Sequence, residues 1–568
     1  IPNTYAICTL PNSIYTVNDD NSTAECMLVE NGVILAVGSV EDIRNFWSAY
    51  NPNVSLKTFQ IPPNSVIVPG LADAHGHILH WGAKKRLPLH GSASIDDVLL
   101  RIKQYLLSHP DILHDPTRWI LGSGWDQTGW PGGQFPTADD LDREPLLRGR
   151  SIVLARIDWH AYWVSNAVLS SLTNLPEVVD GGLIVRDEAG KPTAGVFVDN
   201  AMSLIHKPDP TDAEILEDFE TTMGDALSVG LTTIHDAGSP PSTIAFFQRQ
   251  LRPALTPRRM ADEGRLPIKV YMMGRVDFND YLSSQIPRLV NYGLHRRLTV
   301  RSVKLFADGA LGSWGAALKA PYTDKPDTQG FLLTPTKTLH QQVEKLYEDG
   351  FQVNVHAIGD HANEVVLDIF EDILKKPGAD VNTWRPRIEH AQIIRPSDFE
   401  RIGRLGVIAS VQPTHATSDM SYAESRLGPD RIKGAYAYQK LLHDAYCPAG
   451  SHRQNCLPLG SDFPVEGINP LLGFYAAIAR LSPEGTSPHG PGGWYPAEAL
   501  TRVQALRGMT RDVAYAAFAE HTGGQLAPGF AADFVVLDRD ILRVPLGEIL
   551  GTRVLATVVD GQVAYGSL

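Results

Sequence analysis

Residues 70–82 are GLADAHGHILHWG and follow the apolar run VIVP, so three histidines lie within six residues at the end of a predicted strand. Side chains along a strand alternate between its two faces, which places Asp73, His75 and His77 on one face. A buried imidazole loses its hydrogen bonds to water and needs a new partner, either an ordinary polar group or a metal ion. The spacing of His75 and His77 suits two nitrogen ligands of one metal.

The composition is that of a large folded protein. The chain has 568 residues, of which 43% are hydrophobic and 20% charged, and its formal net charge is −14. This length favours two or more structural units. The negative charge and the lack of a basic cluster argue against a nucleic-acid partner, and no apolar run approaches the ~20 residues of a membrane span. We therefore expect a small-molecule substrate and no membrane or nucleic-acid partner.

The cysteines and two sequons bear on the compartment. Local pairing of an even number of cysteines predicts two disulfides and an oxidising environment, and the sequons suit glycosylation of a secreted protein. The alternative is four free thiols, two chance sequons and a cytoplasmic enzyme. The chain begins at Ile1 instead of Met, which suggests a processed or mature numbering. The residues concerned are the pairs Cys8 with Cys26 and Cys447 with Cys456, and the sequon asparagines Asn21 and Asn53.

The centre of the chain alternates buried strands with helical stretches, as in parallel βα units. Eight such strands predict an α/β fold of the (β/α)8 TIM-barrel type. The long gap after the first strand, about residues 83–225, predicts a large insertion. The strands are predicted at 70–77, 231–237, 268–274, 302–309, 351–357, 387–393, 407–413 and 457–464.

Both ends of the chain are predicted to be β-rich. Residues 1–68 contain short alternating runs with an NGV turn, and residues 520–568 contain FVVLDRD and VLATVVDGQVAYG with an Asp-Gly turn. We expect the two ends to pair into one composite β-sandwich domain. Residues 69–519 would then form the barrel domain with its insertion.

Polar side chains that could bind a metal recur near the carboxyl ends of the predicted strands, where barrel enzymes place their sites. A lone buried histidine is more often structural than a ligand. Several such residues at the same end of successive strands indicate one metal site instead. The candidates are His75, His77, Lys304, His356, His390 and Asp462.

Lys304 lies between apolar neighbours in SVKLFAD. A charged ammonium there would be desolvated and repelled by metal ions. One interpretation is an ion pair with Asp308, four residues further on. The interpretation we favour is that the amine has reacted with carbon dioxide, because the resulting carbamate is an anion that can bridge two metals.

The sequence resembles the metal-dependent amidohydrolase superfamily over nearly its whole length. The resemblance rests on PG-x-x-D-x-H-x-H, VKLFADGALGS, HAIGD, RIEHAQ, GSDFPV and PGFAADFVVLD, in this order. The insertion motifs GSGWDQTGWPGGQFPTADDLD and ARIDWHAYWVSNAVL are most similar to the amidohydrolase family 3 branch, which includes N-substituted formamide deformylases. The resemblance implies a (β/α)8 barrel, a flanking composite β-sandwich and a site for one or two zinc ions.

The resemblance also implies roles for individual residues. The first metal would be held by His75, His77 and Asp462, the second by His356 and His390, and N6-carboxylated Lys304 would bridge the two. Hydroxide bound to metal would attack the carbonyl carbon of an amide or N-substituted formamide, with Asp462 as general base and then general acid. Cobalt, manganese or iron would fit the same ligands.

Two residues of the opening stretch have no role as ligands in this scheme. Asp73 is predicted to orient an imidazole. His80 lies beyond the strand end, and either it faces the pocket or it packs near the following helix.

Substrate contacts are predicted in the insertion and after the seventh strand. Trp125, Asp126, Trp159 and His160 come from the insertion motifs, and His415 follows VQPT. Trp159 stands where the branch usually has glycine, which would add an aromatic wall and favour a hydrophobic or aromatic substrate. His415 would bind a polar end of the substrate, unless it is a surface-loop residue.

Other functions on this scaffold stay open. Decarboxylation would use the metal to stabilise a carbanion, and ester or lactone hydrolysis would use the same hydroxide, so the fold does not separate them from amide hydrolysis. An inactive binding protein is expected to have lost ligands, whereas all six are present. A homodimer is possible.

Overall fold

The computed structural model describes residues 1–187, 190–248, 261, 264–275, 285–444 and 456–568. The strands are β1 Thr4–Cys8, β2 Ile14–Tyr15, β3 Thr23–Ala24, β4 Cys26–Glu30, β5 Val33–Gly38, β6 Thr58–Gln60, β7 Val66–Pro69, β8 Leu71–Gly76, β9 Ile120–Trp125, β10 Ile152–Arg156, β11 Ala161–Val164, β12 Gly182–Ile184, β13 Val196–Asp199, β14 Leu231–Ser239, β15 Lys269–Arg275, β16 Leu289–Tyr292, β17 Leu298–Phe306, β18 Gln352–Ala357, β19 Arg387–His390, β20 Ile408–Ser410, β21 Phe534–Leu537, β22 Val554–Val559 and β23 Gln562–Gly566.

The α-helices are α1 Val40–Tyr50, α2 Ile78–Arg86, α3 Ile95–Ser108, α4 Pro110–Leu113, α5 Ala138–Leu141, α6 Asn166–Ser171, α7 Asp212–Ser228, α8 Pro241–Gln248, α9 Thr336–Glu348, α10 Asp360–Leu374, α11 Val381–Trp384, α12 Pro396–Leu405, α13 Pro413–Asp419, α14 Ala423–Arg431, α15 Tyr438–Asp444, α16 Pro470–Ala479, α17 Arg502–Gly508 and α18 Arg511–Ala516. Short 3-10 turns lie at Gln127–Gly129, Pro192–Ala194, Asn200–Leu204, Ile432–Gly434, Pro496–Glu498 and Leu546–Gly551. Within the described ranges, no helix is both long and apolar enough to cross a bilayer.

The central sheet is a parallel barrel, as the sequence predicts. Its order is β20-β19-β18-β17-β15-β14-β8, and every neighbouring pair in this series is parallel. The eighth predicted strand, 457–464, contributes two parallel bridges instead of a regular strand. Leu459 pairs with Val411 beyond β20, and Phe463 pairs with Gly76 at the end of β8, so this segment closes the ring.

The insertion between β8 and β14 has a sheet of its own, ordered β12-β13-β11-β10-β9. Its apolar residues form a separate core around Trp125, Trp163 and Leu154. Because this core is independent of the barrel, the insertion can present side chains to the barrel mouth without disturbing the parallel strands.

The two ends of the chain meet in shared β-structure. β7 pairs antiparallel with β21, with Val68 opposite Val535, so an N-terminal strand and a C-terminal strand lie side by side. The sheets β5-β4-β1-β6 and β23-β22-β21-β7-β2-β3 both contribute residues to one apolar core, which includes Tyr5, Ile67 and Phe534. The boundaries at residues 68 and 520 stay predictions.

Of the two predicted disulfides, the Cys8–Cys26 bond is present, between residues in register across β1 and β4. Cys456 is a buried free thiol, and its predicted partner Cys447 lies outside the described residues, so that pairing stays a prediction. Asn21 and Asn53 are both exposed. Their glycosylation stays a prediction.

Gly82 tests how closely α2 packs on α7. A Cβ atom on Gly82 would lie 2.2 Å from the Cα and carbonyl oxygen of Asp218, which are backbone atoms of the facing helix. We expect Gly82→Ala to lower the free energy of unfolding by about 1–3 kcal/mol, because the helices must separate. The matched control is Gly224→Ala at an exposed position of α7, where nothing lies within 4 Å of the new Cβ and stability should rise by up to about 1 kcal/mol. Equal melting temperatures for both variants would contradict this packing.

Candidate metal centre

The first half of the site joins the end of β8 to the segment that closes the barrel. Nε2 of His77 lies 3.0 Å from Oδ1 of Asp462, and Nε2 of His75 lies 3.5 Å from the same oxygen. The backbone amide of Asp462 donates to the carbonyl oxygen of His75 at 2.6 Å, which fixes the two segments together. Burial raises the pKa of the Asp462 carboxyl, but His75 and His77 outweigh it and hold that pKa well below its usual range. Asp462 is therefore a carboxylate at neutral pH.

The imidazole of His75 is oriented by the buried carboxylate of Glu389, a residue that the sequence analysis did not identify. Nδ1 of His75 lies 2.7 Å from Oε2 of Glu389 on β19, and Oε1 of Glu389 lies 2.8 Å from the guanidinium of Arg387. Arg387 also donates to the carbonyl oxygen of Ala74 and to Oγ of Ser410, at 3.1 and 3.0 Å. A carboxylate on Nδ1 leaves Nε2 of His75 as the nitrogen that faces the site.

Asp73 differs from its prediction. It contacts no imidazole; its Oδ1 accepts hydrogen bonds from the backbone amides of His75 and Ser461, at 2.9 and 3.0 Å. The hydroxyl of Ser461 donates to Oδ2 at 2.6 Å. Asp73 therefore positions the main chain that carries His75 and Asp462, whereas Glu389 orients the ring.

The second half of the site comes from β18, β19 and α13. The ring centroids of His356 and His390 are 4.4 Å apart, and His390 lies 4.9 Å from His75, so the two halves adjoin. His415, on α13 just after β20, places its Nε2 3.6 Å from Oδ2 of Asp462. Burial lowers the pKa values of His356 and His390 well below the usual range, so both rings are neutral and able to bind a cation.

Lys304 lies inside the barrel, 1% exposed, with its Nζ 3.4 Å from Nε2 of His75. Burial lowers the pKa of its amine to about 8. The alternative ion pair with Asp308 is not formed. Asp308 accepts the backbone amides of Ile358, Gly359 and Ala317 instead, at 2.7–2.9 Å, and burial raises the pKa of its carboxyl to about 7.

These residues are suited to bind a metal ion because several of their possible ligand atoms are buried and have no hydrogen-bond partner. Nε2 of His356, Nδ1 of His390 and Nε2 of His415 are buried without a hydrogen-bond partner among the described residues. Each unsatisfied buried polar atom costs about 1–3 kcal/mol, so a bound cation would remove that cost at the nitrogens it reaches. Two overlapping groups have ligand atoms within 4.8 Å of one another: His75, His77 and Asp462, and His390, His415 and Asp462.

A cavity opens over this site, between the barrel mouth and the insertion. Asp126, His160 and His415 line it, and their role in substrate binding stays a prediction. Trp125 does not line the cavity: it is fully buried in the insertion core and its Nε1 donates to the carbonyl oxygen of Leu154 at 2.8 Å. Burial of its large apolar ring in the insertion core is more favourable than exposure of that ring in a cavity lined by polar side chains.

Trp159 is also absent from the lining of the cavity; its ring stacks on His80 with centroids 4.5 Å apart. His80 is absent from that lining as well. It lies exposed on α2, with its ring next to Trp159 and with its centroid 5.5 Å from that of His77. Trp159 has a φ of 60°, in the left-handed region that favours glycine. The glycine usual in related sequences would adopt this backbone without strain.

The insertion contributes two polar groups whose partners sequence reasoning did not find. Nδ1 of His160 lies 2.5 Å from Oδ1 of buried Asp199 at the end of β13. Burial lowers the pKa of His160, but Asp199 outweighs it and raises the pKa to about 9. Buried Arg156 binds Asp126 at 2.6 Å and also pairs with Asp158. The sequence does contain a signal for both: a charged residue ends an apolar strand run in ARID, which contains Arg156, and in VFVD, which contains Asp199.

A parallel barrel with histidines and an aspartate gathered at its carboxyl end defines a metal-dependent hydrolase type of site. The model of the amidohydrolase family matches residues 64–565, and the chain belongs to that family. It is 31% identical to the YtcJ protein of Bacillus subtilis, covering 97% of this chain and 98% of that one. It is 26% identical to the N-substituted formamide deformylase of Arthrobacter pascens, covering 97% of each.

A solved structure supports the same assignment. The crystal structure of an uncharacterized metal-dependent hydrolase from Pyrococcus horikoshii aligns with a TM-score of 0.71 and 26% identity. The alignment covers 95% of this chain and 99% of that one. Barrel, terminal sheets and insertion therefore belong to one shared architecture.

The Arg387–Glu389 pair gives a test of the support below His75. Both side chains are fully buried, so removing one charge leaves the other unpaired. We expect Arg387→Met alone to cost about 3–5 kcal/mol of stability, and the double variant Arg387→Met/Glu389→Gln to cost less than the sum of the single changes. Denaturation of Arg387→Met, Glu389→Gln and the double variant measures this coupling. Additive losses would show that the pair does not act as a unit.

Proposed function

We propose that this chain is a metal-dependent hydrolase of carbon–nitrogen bonds in amides or N-substituted formamides. The observation that carries the proposal is Asp462, a carboxylate with three imidazole nitrogens within 3.6 Å, at the floor of a cavity. Similarity to an N-substituted formamide deformylase over 97% of both chains supports this class of substrate.

The metal is proposed to be zinc, as one or two ions per chain. His75, His77 and Asp462 would hold the first, and His356 and His390 the second, with Lys304 as an N6-carboxylated bridge. Zinc would supply Lewis acidity, which lowers the pKa of a bound water and polarises a carbonyl group. The lowered pKa of the Lys304 amine favours carboxylation, because only the neutral amine reacts with carbon dioxide.

Asp462 is proposed to move the proton. It is ionised at neutral pH and faces the cavity, so its carboxylate can accept a proton from the attacking water. It can then deliver that proton to the departing nitrogen, which leaves as an amine. The bond that breaks is the C–N bond of the amide, and the acyl group leaves as a carboxylate.

His160 is proposed to bind the substrate carbonyl oxygen. Asp199 occupies its Nδ1, and at a pKa of about 9 the ring is doubly protonated at neutral pH, so Nε2–H is a donor. The ring centroid of His160 lies 5.3 Å from that of His356, which places this donor next to the metal ligands. Its charge would stabilise the oxygen as negative charge develops on it.

A hydrophobic or aromatic group on the substrate is supported by the apolar part of the cavity lining. Ile157, Ala310, Leu311, Ile358 and Val465 contribute this apolar surface. The lining also carries Asp126, Arg156 and Asp158, and Arg156 pairs with both aspartates. An N-aryl or N-benzyl group would suit the apolar residues and leave the polar ones to the amide.

Secretion stays a proposal that the Cys8–Cys26 bond supports, since disulfides persist mainly in oxidising compartments. Both sequon asparagines are exposed, as glycosylation requires. Mass determination of the protein from its native source, before and after glycosidase treatment, would test it. An unglycosylated protein with four free thiols would favour the cytoplasmic alternative.

Metal removal tests the proposed function directly. We expect the purified protein to contain between one and two zinc ions, to hydrolyse N-benzylformamide, to lose that activity on chelation and to regain it with zinc. Metal is measured by inductively coupled plasma mass spectrometry and hydrolysis by release of benzylamine.

Two variants and two alternative substrates make this experiment specific. Asp462→Asn should lower kcat by about 10²- to 10⁴-fold, the usual contribution of a general acid–base. The control His340→Asn changes a partly exposed histidine on α9, remote from the cavity lining, and should leave kcat unchanged. Faster turnover of formamide than of N-benzylformamide would contradict the hydrophobic substrate. Hydrolysis of benzyl esters without amides would point to ester chemistry.

The His160–Asp199 pair gives a second test. We expect His160→Gln to lower kcat about 10²- to 10³-fold, because a charged donor to the reacting oxygen is lost. Asp199→Asn should have a smaller effect and should shift the high-pH limb of the rate profile to lower pH, since the imidazolium loses its carboxylate partner. An unchanged profile in Asp199→Asn would exclude His160 as the charged donor.

A further inference from the structure

We infer that His415 is a ligand of the second metal position, together with His390 and Asp462, and not a substrate contact as the sequence predicts. The inference rests on the proposed function, because it concerns the same centre. It goes beyond that proposal by adding a seventh residue to the metal site and by assigning Asp462 to both halves.

The first observation is convergence. One ligand atom each from His390, His415 and Asp462 lies within 4.8 Å of the others. Nε2 of His415 lies 3.6 Å from Oδ2 of Asp462. Ligands of a tetrahedral zinc at about 2.0–2.3 Å are separated by similar distances, so small side-chain movements would complete the group.

The second observation is that the converging atoms have no other partner. Nε2 of His415 and Nδ1 of His390 are buried and accept or donate no hydrogen bond within the described part of the chain. The side chain of His415 is 12% exposed and that of Asp462 is 9% exposed. A substrate-binding imidazole would gain its partner only when substrate arrives, whereas a ligand has a permanent one.

The third observation is the direction of the two carboxylate oxygens of Asp462. Oδ1 faces His75 and His77, at 3.5 and 3.0 Å, whereas Oδ2 faces His415. A carboxylate whose oxygens face two separate groups of imidazoles lies between two cation positions. His415 therefore completes the half of the site that Oδ2 faces.

The ligand count gives a physical reason for a further residue. Nζ of Lys304 lies 3.4 Å from Nε2 of His75, in the first half of the site, so an unmodified lysine supplies no ligand to the second half. Catalytic zinc sites usually have three protein ligands. His390, His415 and Asp462 make up that number at the second position, whether or not Lys304 is carboxylated.

The fold fixes His415 in place without help from substrate. β20 ends at Ser410 and α13 begins at Pro413, so His415 lies in the first turn of a helix at the carboxyl end of a barrel strand. Its backbone amide donates to the carbonyl oxygen of Gln412 at 3.0 Å, and Tyr438 donates to the same oxygen at 3.2 Å. This position is the one from which neighbouring strands supply His356 and His390.

The test measures metal binding in the full-length protein. We expect His415→Gln to weaken the second zinc by at least about 100-fold, since even residues that only support a ligand contribute 10- to 100-fold. His415→Asp, which restores an anionic ligand, should recover part of that affinity. Zinc affinity is measured by chelator competition, and the absorption spectrum of the cobalt-substituted protein reports the coordination of each ion. His340→Asn is the matched histidine control and should bind metal as the wild type does.

The outcomes separate the inference from the proposed function. Unchanged zinc affinity and cobalt spectrum in His415→Gln, with KM raised, would overturn the inference and return His415 to substrate binding. A wild-type protein that binds no zinc would overturn the proposed function itself. A wild type that binds one zinc and whose spectrum is unaffected by His415→Gln would also overturn the inference. If His415→Gln has a lowered melting temperature without metal, His415→Asp carries the comparison.

Discussion

The site depends on one buried ion pair inside the barrel. Arg387 neutralises Glu389, and Glu389 contacts Nδ1 of His75 and so fixes the orientation of its ring. Barrel interiors are normally filled by apolar side chains, and an unpaired charge there is expensive. Arg387 also donates to the carbonyl oxygen of Ala74 on β8 and to Oγ of Ser410 on β20. The contacts that compensate the buried charge therefore also link β19 to β8 and β20, close to the candidate metal ligands.

Backbone strain is concentrated at the same place. His390 and Asp462 have φ values of 75° and 60°, in the left-handed region where residues other than glycine are unfavourable. Such residues cost on the order of 1–3 kcal/mol each and persist only when surrounding contacts hold them. At Asp462 those contacts include the short hydrogen bond from its backbone amide to the carbonyl oxygen of His75, and the Asp73 carboxylate, which accepts the amide of the preceding residue, Ser461. The strain turns both side chains towards the cavity.

The sequence allows the barrel and the candidate ligands to be predicted because both follow from local periodicity. His75 and His77 share a face by the two-residue repeat of a strand, and His356, His390 and Asp462 follow apolar runs of strand length. The supporting residues do not follow from local patterns. Glu389 acts on His75 across 314 residues of sequence, so its role requires the strand order. Trp125 was misplaced for the opposite reason: its motif indicates the insertion, but motif membership does not distinguish core from cavity.

The insertion and the barrel make separate contributions to the site. The barrel supplies the candidate ligands, while His160 reaches the cavity from a sheet with its own core. Contact between the two is tight: a Cβ on Gly309 would lie 2.4 Å from Oδ2 of Asp199. The glycine after β17 is thus needed for the insertion to approach the barrel mouth.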